Sequence, residues 1–390
     1  MTDDQQRPVP GVRPDQPEVR VEYPRSYPVR VRRRGGCLKT AIIVGITFLV
    51  TIVLLAGVAA YFLVRDPDRL LGFFRRVTPR YYPLAIAVAD GETVHVLYNS
   101  GSLVPEVVRT GNRFDLAWRS EAAHATLAQG RWTRREAIEP FTGAVLFNDT
   151  LWILDDGGYR TWSDGGWSDT VAMPDWISPR GCVAGDTLWI FYEDADRMLR
   201  ATTTNDGTQW TPGGLQQQLP APPTGDEHAR FLETLHARYR VAVLDERPYV
   251  FWYDPDAGRV RFRFHDGSWS QPHSCRGSML FAVAATGAVL YFFDVPAWRK
   301  DEEYGYDEAT VTMRTFDGRH WTKPDELEIE TTLCLDASRV GDDVWLFTSG
   351  YRSLYYTVYS KGDWGRTTKV PAPKPARGKP VKEEEPRSLE

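Results

Sequence analysis

Tyr249–Trp269 reads YVFWYDPDAGRVRFRFHDGSW. Three local signals follow one another in it. Tyr249–Tyr253 is an unbroken apolar and aromatic run of strand length. Arg259–His265 alternates basic and apolar side chains with a period of two, the spacing that puts neighbours on opposite faces of a strand. Asp266-Gly267 suits a tight hairpin, because both central positions of a type I′ turn need positive φ. Trp269 follows at once.

The same order recurs along the chain. A tight turn followed by Trp is found at Gln129-Gly130-Arg131-Trp132, Asp164-Gly165-Gly166-Trp167, Asp206-Gly207-Thr208-Gln209-Trp210, Asp266-Gly267-Ser268-Trp269, Asp317-Gly318-Arg319-His320-Trp321 and Lys361-Gly362-Asp363-Trp364. An apolar strand precedes each: Val94–Tyr98, Leu151–Asp155, Leu188–Tyr192, Tyr249–Tyr253, Val289–Phe293 and Val344–Thr348. Most of these follow a small polar turn such as Asp90-Gly91, Asn148-Asp149, Gly185-Asp186 or Gly341-Asp342. Between the two signatures lies an alternating strand, clearest in Arg259–His265, Ala309–Phe316 and Leu354–Ser360. Each unit therefore reads as four antiparallel strands at a period of about 48 residues, which is a β-propeller blade. The sequence predicts an all-β, six-bladed propeller of four-stranded antiparallel blades over residues 84–370. Its strands should be apolar on both faces, because each blade packs between two others. The repeated Trp should cover the seams between blades.

Thr204-Asn205-Asp206-Gly207-Thr208-Gln209-Trp210 and Thr315-Phe316-Asp317-Gly318-Arg319-His320-Trp321 resemble the Asp-box repeat of six-bladed, sialidase-like propellers. The box of that family sits at the turn between the third and fourth strands, where the strand count puts it here. The resemblance covers the propeller region, and these two copies keep its Ser/Thr, Asp, Gly and Trp pattern at good spacing. Blades one and six carry Gln129 and Lys361 in place of Asp. Asp boxes lock turns, so the resemblance implies architecture. A glycosidase of that family would need three Arg for a carboxylate, a Tyr activated by Glu, and an Asp acid. No N-terminal motif places the first Arg; Arg180, Arg197 and Arg352 stand at compatible loop positions.

Composition agrees with strands. The 390 residues hold 14 Trp against 5 Met, a bias toward aromatic-rich sheet. Charged residues are 25% and the net charge is −5, so no basic field points to nucleic acid. Four Cys without a CxxC pair exclude a disulfide-rich scaffold, a zinc knuckle and a redox motif. Cys182, Cys275 and Cys334 fall in the propeller, an odd number, and read as small buried apolar side chains. The sequence calls for no cofactor and no metal. His95 and His265 fall in strands, and His228 and His236 lack helical metal-ligand spacing. No HExxH, P-loop, GxSxG or GxGxxG motif is present.

Thr40–Val64, TAIIVGITFLVTIVLLAGVAAYFLV, carries no charge. As a helix it would extend about 37 Å, enough to cross a bilayer. Its length and the long polar arm before it fit a retained transmembrane helix better than a cleaved signal peptide. Arg30, Arg32, Arg33, Arg34 and Lys39 precede it; Arg65, Arg69, Arg75, Arg76 and Arg80 follow. The denser N-terminal cluster predicts a cytoplasmic N-terminus and an extracytoplasmic propeller in the cell membrane. Residues 1–36, rich in Pro and Arg, and 371–390, rich in Pro and charge, should be disordered. Residues 65–83 form the connector.

Loops between second and third strands open on one face of a propeller. Here they carry Asp155, Asp156, Glu193, Asp194, Asp196, Asp254, Asp256 and Asp294, with Tyr98, Tyr192, Trp252, Tyr253 and Phe293 nearby. Carboxylates bond hydroxyls, and aromatic faces stack on sugars or cations. Each Asp also has a purely local use, since its side chain bonds nearby backbone in turns. Two insertions should rise over the same face: 213–238, with a short helix from Asp226 to Ala237, and 295–307, with Trp298. The expected function is a membrane-tethered binding or scaffolding module for a protein or carbohydrate ligand. A sialidase-like glycoside hydrolase and a structural subunit of an envelope complex are the alternatives.

Overall fold

The computed structural model describes residues 80–371 except 103–105, 111–112, 118–119, 164, 222–237, 296–308, 332–334 and 350–352. All of them belong to the unit Leu71–Glu390. The arm 1–36, the apolar span 40–64, residues 65–79 and the tail from 372 lie outside the described residues. So do Trp298, Cys334, Arg352 and the expected helix in the first insertion. Among the described residues there is no helix, hence none long and apolar enough to cross a membrane.

Six antiparallel sheets follow one another along the chain. Blade 1 starts with β1 (Arg80–Asp90), inside the expected connector, and β2 (Thr93–Ser102). It then inserts a separate hairpin, β3 (Glu106–Thr110) and β4 (Arg113–Ala117), before β5 (Ser120–Ala128) and β6 (Arg131–Ile138). Blade 2 is β7 (Gly143–Phe147), β8 (Thr150–Asp155), β9 (Gly158–Ser163) and an outer strand split into β10 (Gly166–Trp167) and β11 (Val171–Ala172). Blade 3 is β12 (Ile177–Ala184), β13 (Thr187–Glu193), β14 (Met198–Thr204) and β15 (Thr211–Gln218). Blade 4 is β16 (Tyr239–Leu244), β17 (Arg247–Asp254), β18 (Arg259–Phe264) and β19 (His273–Cys275). Blade 5 is β20 (Phe281–Thr286), β21 (Val289–Asp294), β22 (Ala309–Phe316) and β23 (Asp325–Thr331). Blade 6 is β24 (Leu335–Val340), β25 (Asp343–Ser349), β26 (Leu354–Ser360) and a split outer strand, β27 (Asp363–Trp364) and β28 (Thr368–Lys369).

The first strands touch in a closed ring: β1 on β7, β7 on β12, β12 on β16, β16 on β20, β20 on β24, and β24 back on β1. The chain is a six-bladed β-propeller. Six buried clusters fill the six seams, one between each pair of neighbouring blades. This is why strands such as Leu188–Tyr192 are apolar on both faces. Leu188 and Ile190 pack into the seam with blade 2 and Trp189 and Phe191 into the seam with blade 4, so neither face meets bulk water.

The repeated Trp residues follow one rule. Each packs edge-to-face on an aromatic ring of the preceding blade: Trp167 on His124, Trp210 on Trp152, Trp269 on Trp189, Trp321 on Phe262 and Trp364 on Phe293. Trp132 closes the circle by packing the same way on Tyr356 of blade 6. Edge-to-face contact places the positive ring edge on the negative ring face.

Candidate functional site

The second-to-third-strand turns and the connections between blades meet at one end of the molecule. Asp156 Oδ1, in the blade 2 turn, accepts the Ser178 N–H at 2.6 Å at the start of blade 3. Glu193, at the end of β13, receives Arg238 Nη1 at 2.8 Å just before blade 4. The predicted carboxylates do gather on this face.

Most of them are already engaged. The Asp at or just past the end of each second strand in blades 2 to 5 faces an Arg on the third strand. The pairs are Asp155–Arg160 at 3.8 Å, Asp194–Arg200 at 2.8 Å, Asp254–Arg261 at 3.0 Å and Asp294–Arg314 at 3.5 Å. Arg160 also reaches Glu139 at 2.9 Å. Burial raises the Asp155 carboxyl against the pull of Arg160. At Asp194 burial is the largest single effect and pushes the carboxyl up, but Arg200 and the N–H groups of Met198 and Asp196 together outweigh it and hold the carboxyl below its usual range. Asp294 accepts Thr312 Oγ1 at 2.6 Å and the Ser278 N–H at 3.1 Å. The acidic face is thus largely neutralised by arginines that periodicity alone had assigned to strand surfaces.

The aromatic candidates divide. Trp252 is 3% exposed and packs inside the seam between blades 3 and 4, so its ring offers no face to a ligand. Tyr192 is half-buried against Trp176. Asp156 and Asp256 are exposed.

A cleft of about 800 Å³ opens between blades 4 and 5 on this face. Blade 4 gives Tyr253, Arg259 and Ser274; the connection gives Arg276, Ser278 and Met279; blade 5 gives Asp294 and Arg314. Tyr253 is half-buried, while Arg259, Ser274 and Arg276 are exposed. Arg314 lies over the Phe292 ring at 5.8 Å, and its buried Nε has no hydrogen-bond partner among the described residues. Gly277 is needed for its shape: a Cβ there would stand 2.7 Å from Phe292 Cζ. Cys275 is buried beneath the cleft, and burial pushes its thiol up to about 12. The cleft therefore combines guanidinium donors, hydroxyls, one carboxylate and an aromatic side chain. Sequence reasoning found Asp294 and Tyr253 and missed the rest. Arg276 and Ser278 lie in a connection between blades, and Arg314 lies inside the alternating strand Ala309–Phe316, where it reads as an outward residue.

The three arginines of the glycosidase reading do not share a described pocket. Arg180 is buried on β12 and Arg197 is exposed with φ 60°; Arg352 falls outside the described residues. Tyr239 is fully buried, with its hydroxyl oxygen 2.7 Å from Ser178 O and 2.8 Å from Phe191 O. Burial raises its hydroxyl well above the usual tyrosine range, the wrong direction for a nucleophile. Among the described residues no cluster of three His, Cys, Asp or Glu has the geometry to hold a metal.

No family model matches this chain, and no curated protein matches its sequence. Solved structures share its fold at low identity. A variant of the Aleuria aurantia lectin in complex with alpha-methyl-L-fucoside superposes with a TM-score of 0.51 at 14% identity, covering 77% of this chain and 98% of the lectin. AofleA from Arthrobotrys oligospora gives 0.50 at 12% identity, covering 76% and 88%.

Proposed function

We propose that this protein is a membrane-tethered carbohydrate-binding propeller whose ligand site is the cleft between blades 4 and 5. The supporting observation is the composition of that cleft. Sugar hydroxyls need donors and acceptors side by side, and the exposed Arg259, Ser274 and Arg276 supply both around Tyr253. A half-buried aromatic beside them suits the apolar face of a pyranose ring. The lectin neighbours share the fold, and the fucoside bound by one of them gives a first probe.

In the same proposal, Thr40–Val64 anchors the chain in the cell membrane, with the N-terminus cytoplasmic and the propeller outside. Protease treatment of intact cells should remove the propeller and spare an N-terminal tag; loss of the tag instead would reverse the topology.

Binding is tested with the full-length protein on a glycan array that includes alpha-methyl-L-fucoside. Capture of a defined glycan should weaken about tenfold or more in Tyr253→Ala and Arg276→Ala, by loss of one stacking face or one charged hydrogen bond. Absence of any glycan binding, or binding unchanged in both variants, would remove the cleft from consideration. Co-purification of a protein at fixed stoichiometry, whether or not the cleft is mutated, would favour the structural-subunit reading.

A further inference from the structure

A second cavity, of about 530 Å³, is lined by the first strands of all six blades and is therefore the central channel. The hairpin registers define one layer of it. Five residues before each inner turn stand Ile86, Gly143, Arg180, Arg240, Ala282 and Asp336, opposite Leu97, Leu154, Phe191, Phe251, Phe293 and Phe347. Three of these six equivalent positions are charged, in blades 3, 4 and 6. All three charged residues are more than nine-tenths buried.

Arg240 Nε lies 3.4 Å from Asp336 Oδ1, an approach that passes over blade 5, where the layer holds only Ala282. Asp336 Oδ2 also accepts the Ala85 N–H at 2.9 Å. Arg180 is different. Its Nε is buried without a hydrogen-bond partner, and it makes no ion pair within 4 Å among the described residues. Burial and then the neighbouring Arg240 bring its guanidinium down to about 10, so it stays charged at neutral pH. Among the described residues, two guanidinium groups stand against one carboxylate in this layer, an excess of positive charge. A buried charge without a counter-charge is costly, and a monoanion restores the balance. Below the layer, the half-buried side chains are aliphatic, among them Leu146, Val183, Val241, Val243 and Ala337.

We propose that the central channel binds a short aliphatic monocarboxylate, with its carboxylate against Arg180 and Arg240 and its alkyl chain along the aliphatic wall. The guanidinium fork matches a carboxylate through paired N–H donors. Asp336 stands as the internal partner of Arg240, which leaves Arg180 for the ligand. The site is independent of the cleft between blades 4 and 5.

The test is calorimetric titration of the full-length protein, in chloride-free buffer, with butyrate, butyramide and chloride. Butyrate should bind saturably, and butyramide and chloride should not compete with it. Arg180→Met should weaken butyrate by about 10- to 100-fold, the loss of a charged hydrogen bond, with Arg180→Lys in between. Without ligand, Arg180→Met should unfold at the same temperature as wild type or higher, because it removes an uncompensated charge. Failure of butyrate to bind, equal binding of butyramide, chloride competing as an adventitious ion, or an unchanged affinity in Arg180→Met would each overturn the proposal. If Arg180→Met does not fold, the butyrate–butyramide difference on wild type and the Arg180→Lys affinity still decide it.

Discussion

Glu246 holds φ at 60° in the inner turn of blade 4, beside Asp245 at 50°. Blade 3 puts Gly185 at the first position of the equivalent turn, where φ is 58°. A side chain with Cβ in this left-handed region pays about 1–2 kcal/mol against glycine. Part of that gain is lost to the greater freedom of glycine in the unfolded chain. Glu246→Gly should therefore stabilise the propeller by about 0.5–1 kcal/mol, read from urea unfolding. A second residue-scale feature is the turn of Asp206. Its Oδ1 accepts the N–H groups of Thr208 and Gln209 at 2.7 and 2.9 Å, and Thr204 Oγ1 at 3.0 Å. Those hydrogen bonds hold the carboxyl well below the usual range, and Asp317 repeats the shift through His320 and Arg319. A folded-state value below the unfolded one means stability present above about pH 4 and lost as pH falls through the folded value. The gap in unfolding midpoint between wild type and Asp206→Asn should be constant above about pH 5 and narrow below about pH 4. A gap independent of pH would show that the carboxylate charge does not lock the turn.

At the scale of elements, the seam is the unit of stability. Trp269 crosses from blade 4 to blade 3, where it meets Trp189 and Phe191 and donates Nε1–H to Gly213 O at 2.8 Å. Trp269→Ala should cost about 3 kcal/mol, and Trp269→Phe about 1 kcal/mol for the lost hydrogen bond. Equal costs in urea unfolding would mean that ring packing contributes nothing. The strands of each blade were legible because their signals are local. Asp266-Gly267 and the flanking periodicities are contained in about twenty residues, and turn chemistry acts over four. The hairpin β3–β4 was missed, although Gly111-Asn112 stands between its strands, Glu106–Thr110 and Arg113–Ala117. It breaks the repeat, so a search for the repeat passes over it. The split outer strands of blades 2 and 6 were likewise not legible. They depend on where β10 and β27 detach from the third strand after one turn and β11 and β28 rejoin it.

For the whole molecule, closure is the decisive step. Blade 1 is built from the first strands of the propeller and blade 6 from the last, so no sheet shares strands from both ends. Side chains close the circle instead. Asp336 and Ser338 accept the N–H groups of Ala85 and Ala87 at 2.9 and 3.0 Å, Trp132 packs on Tyr356, and Tyr98 donates to Pro371 O at 3.1 Å. Ser338→Ala removes one of these bonds without touching the channel arginines. It should speed hydrogen exchange at the Ala87 amide about fivefold, corresponding to about 1 kcal/mol, while amides of blades 3 and 4 keep their protection. Exchange at Ala87 equal to wild type would show that this bond does not hold the seam.

The sequence by itself determined the strand order, the blade number and the seam-covering Trp residues. Each of these follows from turn chemistry and periodicity within one repeat. It also placed the carboxylates on one face, because they end equivalent strands. Only the tertiary structure decided what those carboxylates do. Asp155, Asp194, Asp254 and Asp294 meet arginines diagonally across a strand pair, two residues along from the directly opposed position, and register is set by the whole sheet. The same holds for Trp252, which reads as a rim aromatic and lies in a seam, and for Arg180, Arg240 and Asp336. Those three are far apart along the chain, and they meet because closing a ring of six blades brings equivalent positions around a single channel.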